Sequence, residues 1–145
     1  MLRSVTLVAS LFVLAAGPLN AQDRQVINTA VPAGLPFSSA IKAGGFLFLS
    51  GQIGNVPGTR TLADTGVTGQ ARQAMENIGA VLRAAGSSFA RVVKCTVFLA
   101  SMNDYAAVNA VYASYFPSDP PARSAMGANG LALGAKVEIE CIALA

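Results

Sequence analysis

Two residues in this 145-residue chain have the types and spacing that chemistry needs. Arg123 stands in Pro121-Ala122-Arg123-Ser124, and Glu138 follows fifteen positions later in Val137-Glu138-Ile139-Glu140. Apolar residues flank both segments, so a permanently charged guanidinium is held near an interior. Withdrawing such a charge from water is expensive unless an anion or several acceptors meet it. A planar fork of donors in a half-buried place suits bidentate capture of a carboxylate. A glutamate brought near from a second strand can handle a proton or a water. Together they imply a pocket for a small organic acid. The alternative is a structural bridge from Arg123 to Glu138 or Glu140, although buried ion pairs are rarely net stabilising. Glu138 and Glu140 share one strand face, so only one need be catalytic, and Glu140 can equally serve the backbone or Lys94.

Composition removes other chemistries. The chain has no histidine, which excludes histidine triads, histidine dyads and histidine-ligated metal sites. Its two cysteines are too few for a cysteine-only zinc site. Gly54-Asn55-Val56-Pro57-Gly58-Thr59 lacks the lysine of a phosphate-cradling loop and reads as turn punctuation. No metal or organic cofactor is expected. The ten basic and seven acidic side chains give a net charge of +3, but the basic ones are scattered singly. A nucleic-acid partner would need them clustered, so none is expected.

The elements that must position Arg123 and Glu138 follow from periodicity. Residues 22–34 read as an extended arm with Pro32 and Gly34, 37–42 as a short strand, 43–45 as a turn, and 46–50 as a buried strand. Residues 51–66 are a loop. Thr68 can cap a helix to Ala85, where Ala71, Ala74, Met75, Ile78 and Leu82 keep the 3.6-residue period and Gly86 ends it. Residues 89–99 alternate around Val93, Cys95 and Val97 as a strand. Asn103 or Asp104 can cap a second helix, with Tyr105, Val108, Val111, Tyr112, Tyr115 and Phe116 on one face. Strands over 122–128 and 135–144 complete a single-layer α+β domain, with two helices on one face of the sheet. The other face mixes Lys94, Thr96, Glu138 and Glu140 with Val92 and Phe98. A face so mixed should meet copies of itself, which predicts a closed homo-oligomer with sites between subunits.

Residues 1–21 read as a secretory signal. Arg3 supplies the positive start, residues 5–16 an apolar segment too short to span a bilayer, and Gly17-Pro18 a break before a cut ahead of Gln22. A retained anchor or a misplaced start is the alternative. The mature domain would be 22–145, periplasmic or secreted, and free of the membrane once the signal is cleaved. Cys95 and Cys141 both fall on core parity. They are either two small buried hydrophobes or a cross-strand disulfide, which requires Cα atoms about 4.4–6.8 Å apart. Oxidising surroundings would permit the bond, and the spacing does not demand it.

Several segments, in order, resemble the RidA (YjgF) family of reactive-intermediate deaminases, from about Thr29 onward. They are Ser50-Gly51-Gln52-Ile53, Gln70-Ala71-Arg72-Gln73 with Asn77, and residues 93–99. Asn103-Asp104-Tyr105, Val108-Asn109, Pro121-Ala122-Arg123-Ser124 and Val137-Glu138-Ile139-Glu140 complete the set. The resemblance implies a chorismate-mutase-like α+β fold, a homotrimer whose sheets form a central barrel with three interfacial clefts, and no cofactor. It implies hydrolysis of 2-imino acids, and of the enamine 2-aminoacrylate through its imine, to 2-keto acids and ammonia. Arg123 falls on the carboxylate-binding arginine, Glu138 on the carboxylate that handles the attacking water, and Ser50 and Asn109 on pocket positions. Backbone groups near Ala125 are further donors. Ser50 reads equally as a strand-end turn residue, and Asn109 equally as an interface residue. Two departures stand out. Phe37 occupies a position often tyrosine, removing a hydroxyl that could help ammonia leave, and Ala125 one often cysteine. A binding or chaperone-like trimer without turnover is therefore the alternative function. Endoribonuclease action, associated with some relatives, sits poorly with the scattered charge and missing histidine.

Overall fold

The computed structural model describes residues 24–29 and 34–145. The signal reading of 1–21, and Pro32 of the expected arm, lie outside the described residues.

Alternating apolar residues build seven strands: β1 (Gln25–Ile27), β2 (Ala40–Ala43), β3 (Phe46–Leu49), β4 (Gln52–Ile53), β5 (Val92–Leu99), β6 (Ala122–Gly127) and β7 (Val137–Leu144). They form one mixed sheet in the order β1-β2-β3-β7-β5-β6, and β4 continues beside β7 where β3 leaves it. Only β5 and β6 run parallel. Helices α1 (Val67–Ala84) and α2 (Tyr105–Ala113) pack against each other, and α1 lies on β4 and β7. This is the α+β arrangement expected from the sequence. Among the described residues, no helix is long and apolar enough to cross a membrane.

Helix α1 forms where the 3.6-residue period predicts it, because Ala71, Ala74, Met75, Ile78 and Leu82 are all shielded from solvent. Each of the larger ones contributes roughly 1.5–3 kcal/mol by leaving water. Its start differs from the expected Thr68 cap. The first residue is Val67 after Gly66, and the entry is shaped by Asp64, whose Oδ1 accepts the Gly66 N–H at 2.7 Å. A Cβ on Gly69 would overlap that aspartate, so the turn requires glycine there. Gly86, at φ 75°, follows the helix end as expected.

Other boundaries move for identifiable reasons. Phe89–Arg91 is a 3₁₀ turn, not strand, and the register of β5 against β7 slips between Val92 and Lys94. That bulge buries Val92 and leaves Val93 39% exposed, reversing the expected assignment. Beyond it Cys95, Val97 and Leu99 face the helices. Strand β3 is only half buried: Leu47 and Leu49 enter the core, while Phe46 and Phe48 stand on the helix-free face. The expected 51–66 loop contains β4 and a bridge between Asn55 and Leu62. Neither Asn103 nor Asp104 caps α2 with its side chain. Ser101 Oγ instead accepts the Asn103 N–H, starting a 3₁₀ turn (Met102–Asp104) that leads into the helix. Tyr115 and Phe116 follow α2, and Phe116 meets Phe89 edge-on at 5.5 Å.

Cys95 and Cys141 are register partners on β5 and β7 and are joined as a disulfide, their Cα atoms 4.1 Å apart. That is a little closer than the expected window of about 4.4–6.8 Å and than the roughly 4.5 Å of a directly opposed non-hydrogen-bonded pair. The pairing that spacing alone left open is thus supplied by strand register, and the free-thiol alternative does not hold.

Candidate active site

Arg123 is carried by β6 as the register partner of Cys95, a core residue, so its side chain leaves the sheet on the helix side. There α2 presents Tyr105, Asn109 and Tyr112 at helical spacing. Arg123 Nη2 donates to the Tyr105 hydroxyl at 3.2 Å. The guanidinium carbon lies 4.8 Å from the Tyr112 ring centroid and 5.7 Å from that of Tyr105. These rings attract the cation and fix its plane without neutralising it. The Tyr105 hydroxyl is held below the ordinary phenol range by hydrogen bonding from Asn109 first and Arg123 second. Tyr112 behaves oppositely: burial pushes its phenol up to about 12, against the opposing pull of Arg123. Its hydroxyl is buried without a partner. Ala125, two residues along the same face of β6, pairs with Val97 and packs against the core.

Glu138 belongs to a different surface. It is the register partner of Phe98 on one side and Ile53 on the other, one residue out of step with core-facing Val137 and Ile139. It therefore lies on the opposite sheet face from Arg123. Burial first, and the Glu140 charge second, raise its carboxyl above the ordinary glutamate range. The carboxylate rests over Gly51, where a Cβ would overlap Oε1. Beside it opens a cavity of about 300 Å³, walled by Phe37, Leu35, Ile53, Asn77 and Leu133. Leu133, at φ 58°, adopts a left-handed conformation that costs a non-glycine residue about 1–2 kcal/mol, on the rim of this cavity.

The expected site residues thus fall into two groups. Arg123 and Ala125 lie beneath α2, which carries Asn109, while Glu138 and Phe37 share the cavity. Ser50 joins neither: its Oγ donates to the Ser38 carbonyl at 2.7 Å and its N–H to Ser39, fixing the chain that leads back to Phe37. The Arg123–glutamate bridge is not formed, and Lys94 donates to Ser124 rather than to Glu140. Gln70 and Asn77 are clamps. Gln70 Oε1 accepts the Lys136 N–H at 2.8 Å, just ahead of β7, and Asn77 Nδ2 donates to the carbonyls of Ile53 and Asn55. Tyr105 and Gly51 went unrecognised as site residues. Tyr105 matched the apolar stripe of α2, and only the crossing of that helix over Arg123 reveals its hydroxyl.

The fold and these two clusters define a small α+β protein with an open guanidinium on one sheet face and a half-buried carboxyl on the other. The Endoribonuclease L-PSP family matches residues 27–145, and the chain belongs to this family, the RidA/YjgF proteins. It is 46% identical to the goat (Capra hircus) 2-iminobutanoate/2-iminopropanoate deaminase, over 83% of this chain and 90% of that protein. It is 44% identical to the chloroplastic Reactive Intermediate Deaminase A of Arabidopsis thaliana, over 83% of this chain but only 65% of that longer protein. The crystal structure of E. coli TdcF with bound serine superposes with a TM-score of 0.77 at 35% identity, covering 83% of this chain and 98% of TdcF.

Proposed function

We propose that the chain is a hydrolytic deaminase of 2-imino acids, and of enamines such as 2-aminoacrylate through their imines, releasing 2-keto acids and ammonia. The observation that carries this function is Arg123: a guanidinium shelved on two tyrosines, bonded to one hydroxyl and otherwise open for a carboxylate. The deaminase relatives and the serine bound by TdcF support a small amino-acid-derived ligand.

Arg123 anchors the α-carboxylate and so fixes the C=N carbon, a proximity contribution. Glu138, with its raised pKa, orients a water toward that carbon and accepts its proton. Imines hydrolyse unaided in water, so a modest reduction of the barrier suffices. The two groups lie on opposite faces of one sheet, so the complete cleft takes Arg123 from one protomer and Glu138 from the next. A homotrimer with its helix-free faces inward provides such clefts. Export to the periplasm or beyond is supported by the pattern of residues 1–21 and by the disulfide, since such bonds persist in oxidising compartments. Endonuclease action, the activity in the family's name, finds no histidine and no basic cluster to support it.

The test is ammonia and keto-acid release from imines generated in situ by an amino-acid oxidase, with Arg123→Ala alongside. Acceleration by the native protein, lost in a variant that keeps its oligomeric state, is the expected result. No acceleration from a folded oligomer would leave the non-catalytic binding protein that Phe37 favours. Dissociation of the variant would make Arg123 a structural residue.

A further inference from the structure

Two tyrosines flank Arg123 and differ in what they offer. Tyr112 is shut in, whereas Tyr105, one turn from Asn109, is 39% exposed with its hydroxyl at the guanidinium edge. A phenol oxygen has two lone pairs and one proton. Arg123 Nη2 donates to that oxygen at 3.2 Å, and Asn109 stands one helical turn further along α2. With one lone pair engaged by the guanidinium, the hydroxyl keeps its proton free to point toward the space before the arginine fork. A substrate carboxylate seated on Arg123 puts its neighbouring C=N group there. Of the other groups expected there, the Tyr112 hydroxyl is buried, Ser50 donates to Ser38, and Phe37 has no hydroxyl to offer.

We propose that Tyr105 is a catalytic acid, delivering its hydroxyl proton to the imine nitrogen of the substrate held by Arg123. This role rests on the deaminase function proposed above. As water attacks, the C–O bond forms, one water proton passes to Glu138, and the Tyr105 proton passes to nitrogen, giving the carbinolamine. The C–N bond then breaks. Glu138 returns its proton to the departing nitrogen, which leaves as ammonia, and the carbinolamine hydroxyl proton restores Tyr105 as the keto acid forms. Arg123 and Asn109, which position the hydroxyl, also stabilise the transient phenolate, in keeping with the lowered Tyr105 pKa. Within one protomer the groups facing the hydroxyl are the cationic Arg123 from β6 and the neutral Asn109 from α2, and the cleft proposed above adds the neighbour's Glu138 carboxylate.

The experiment is steady-state deamination across pH by the full-length oligomer and by Tyr105→Phe, which keeps the ring beside Arg123. The expected result is a fall in kcat on the order of 10²-fold, with KM changed by no more than about twofold. The native basic limb, where rate falls as pH rises through a Tyr105 pKa below the ordinary phenol value, should vanish in the variant. Native kcat with an intact basic limb would overturn the proposal, as would a change confined to KM, which would make Tyr105 a carboxylate ligand only. Those outcomes leave the deaminase standing. Absence of ammonia release by the native protein would remove the deaminase function itself, and this role with it.

Discussion

As the base proposed above, Glu138 can act only when ionised, so its raised pKa would set the acid side of the rate profile: deamination should fall as pH drops through that pKa. Burial is the larger cause and Glu140 the smaller. Glu140→Gln should therefore move the acid limb of kcat/KM to lower pH without bringing it to the ordinary glutamate value. The stability sign runs the same way. The fold favours neutral Glu138, so its contribution is fully present below the unfolded pKa and is lost as pH rises through the folded one. Gly51 carries a sharper expectation. A Cβ there would occupy the place of Glu138 Oε1. Gly51→Ala should cost on the order of 10²-fold in kcat through misplacement of the carboxylate, while the melting temperature stays near native. A loss of folding in that variant, seen by circular dichroism, would make Gly51 a turn residue only. Arg123 and Glu138 stood out as candidates in the sequence because charge amid apolar flanks is a one-dimensional signal. Tyr105 and Gly51 did not, because their roles arise from contacts between separate elements.

Among elements, long periodic ones were legible and short or irregular ones were not. The apolar spacing of α1 persists over five turns, whereas a two-residue strand such as β4 has no period to read. The bulge at the start of β5 changes which of Val92 and Val93 is buried, and strict alternation carries no sign of that slip. Caps failed for a related reason: Asp64 and Ser101 act from positions just ahead of the expected ones, where turn geometry decides. The disulfide is the covalent counterpart of this register. It joins β5 to β7, the strand beside Arg123 to the strand bearing Glu138, and spans 46 positions. Loop-closure entropy for such a span is worth roughly 4 kcal/mol in the chain-entropy account. The Cys95→Ala/Cys141→Ala pair should therefore lower the melting temperature by about 10–20 °C, with the thermal transition followed in the presence and absence of reductant. A native protein indifferent to reductant even when partly unfolded would mean that the thiols do not pair in solution.

At the scale of the whole molecule, one protomer separates the two groups that the proposed deamination needs together. Arg123 emerges on the helix side at the β6 edge, whereas Glu138 lies on the helix-free face, which also exposes Met126 on β6 and, toward the far end of β7, Phe48 and Phe46. Exposed aromatics in the middle of a sheet call for a covering surface. In the homotrimer proposed above, a second copy supplies one and brings its own Arg123 to the neighbour's Glu138. Phe48→Glu should accordingly shift the sedimenting species from trimer toward monomer and abolish turnover together. Mixing provides the stricter test. Arg123→Ala and Glu138→Ala subunits are each expected to be inactive alone. In co-refolded mixed trimers, however, a cleft is whole whenever an intact Arg123 of one subunit faces an intact Glu138 of the other. For equal amounts and random assembly this holds for about a quarter of clefts, so about a quarter of native activity should return. A site contained within one protomer would return none, because every such site would carry one of the two lesions.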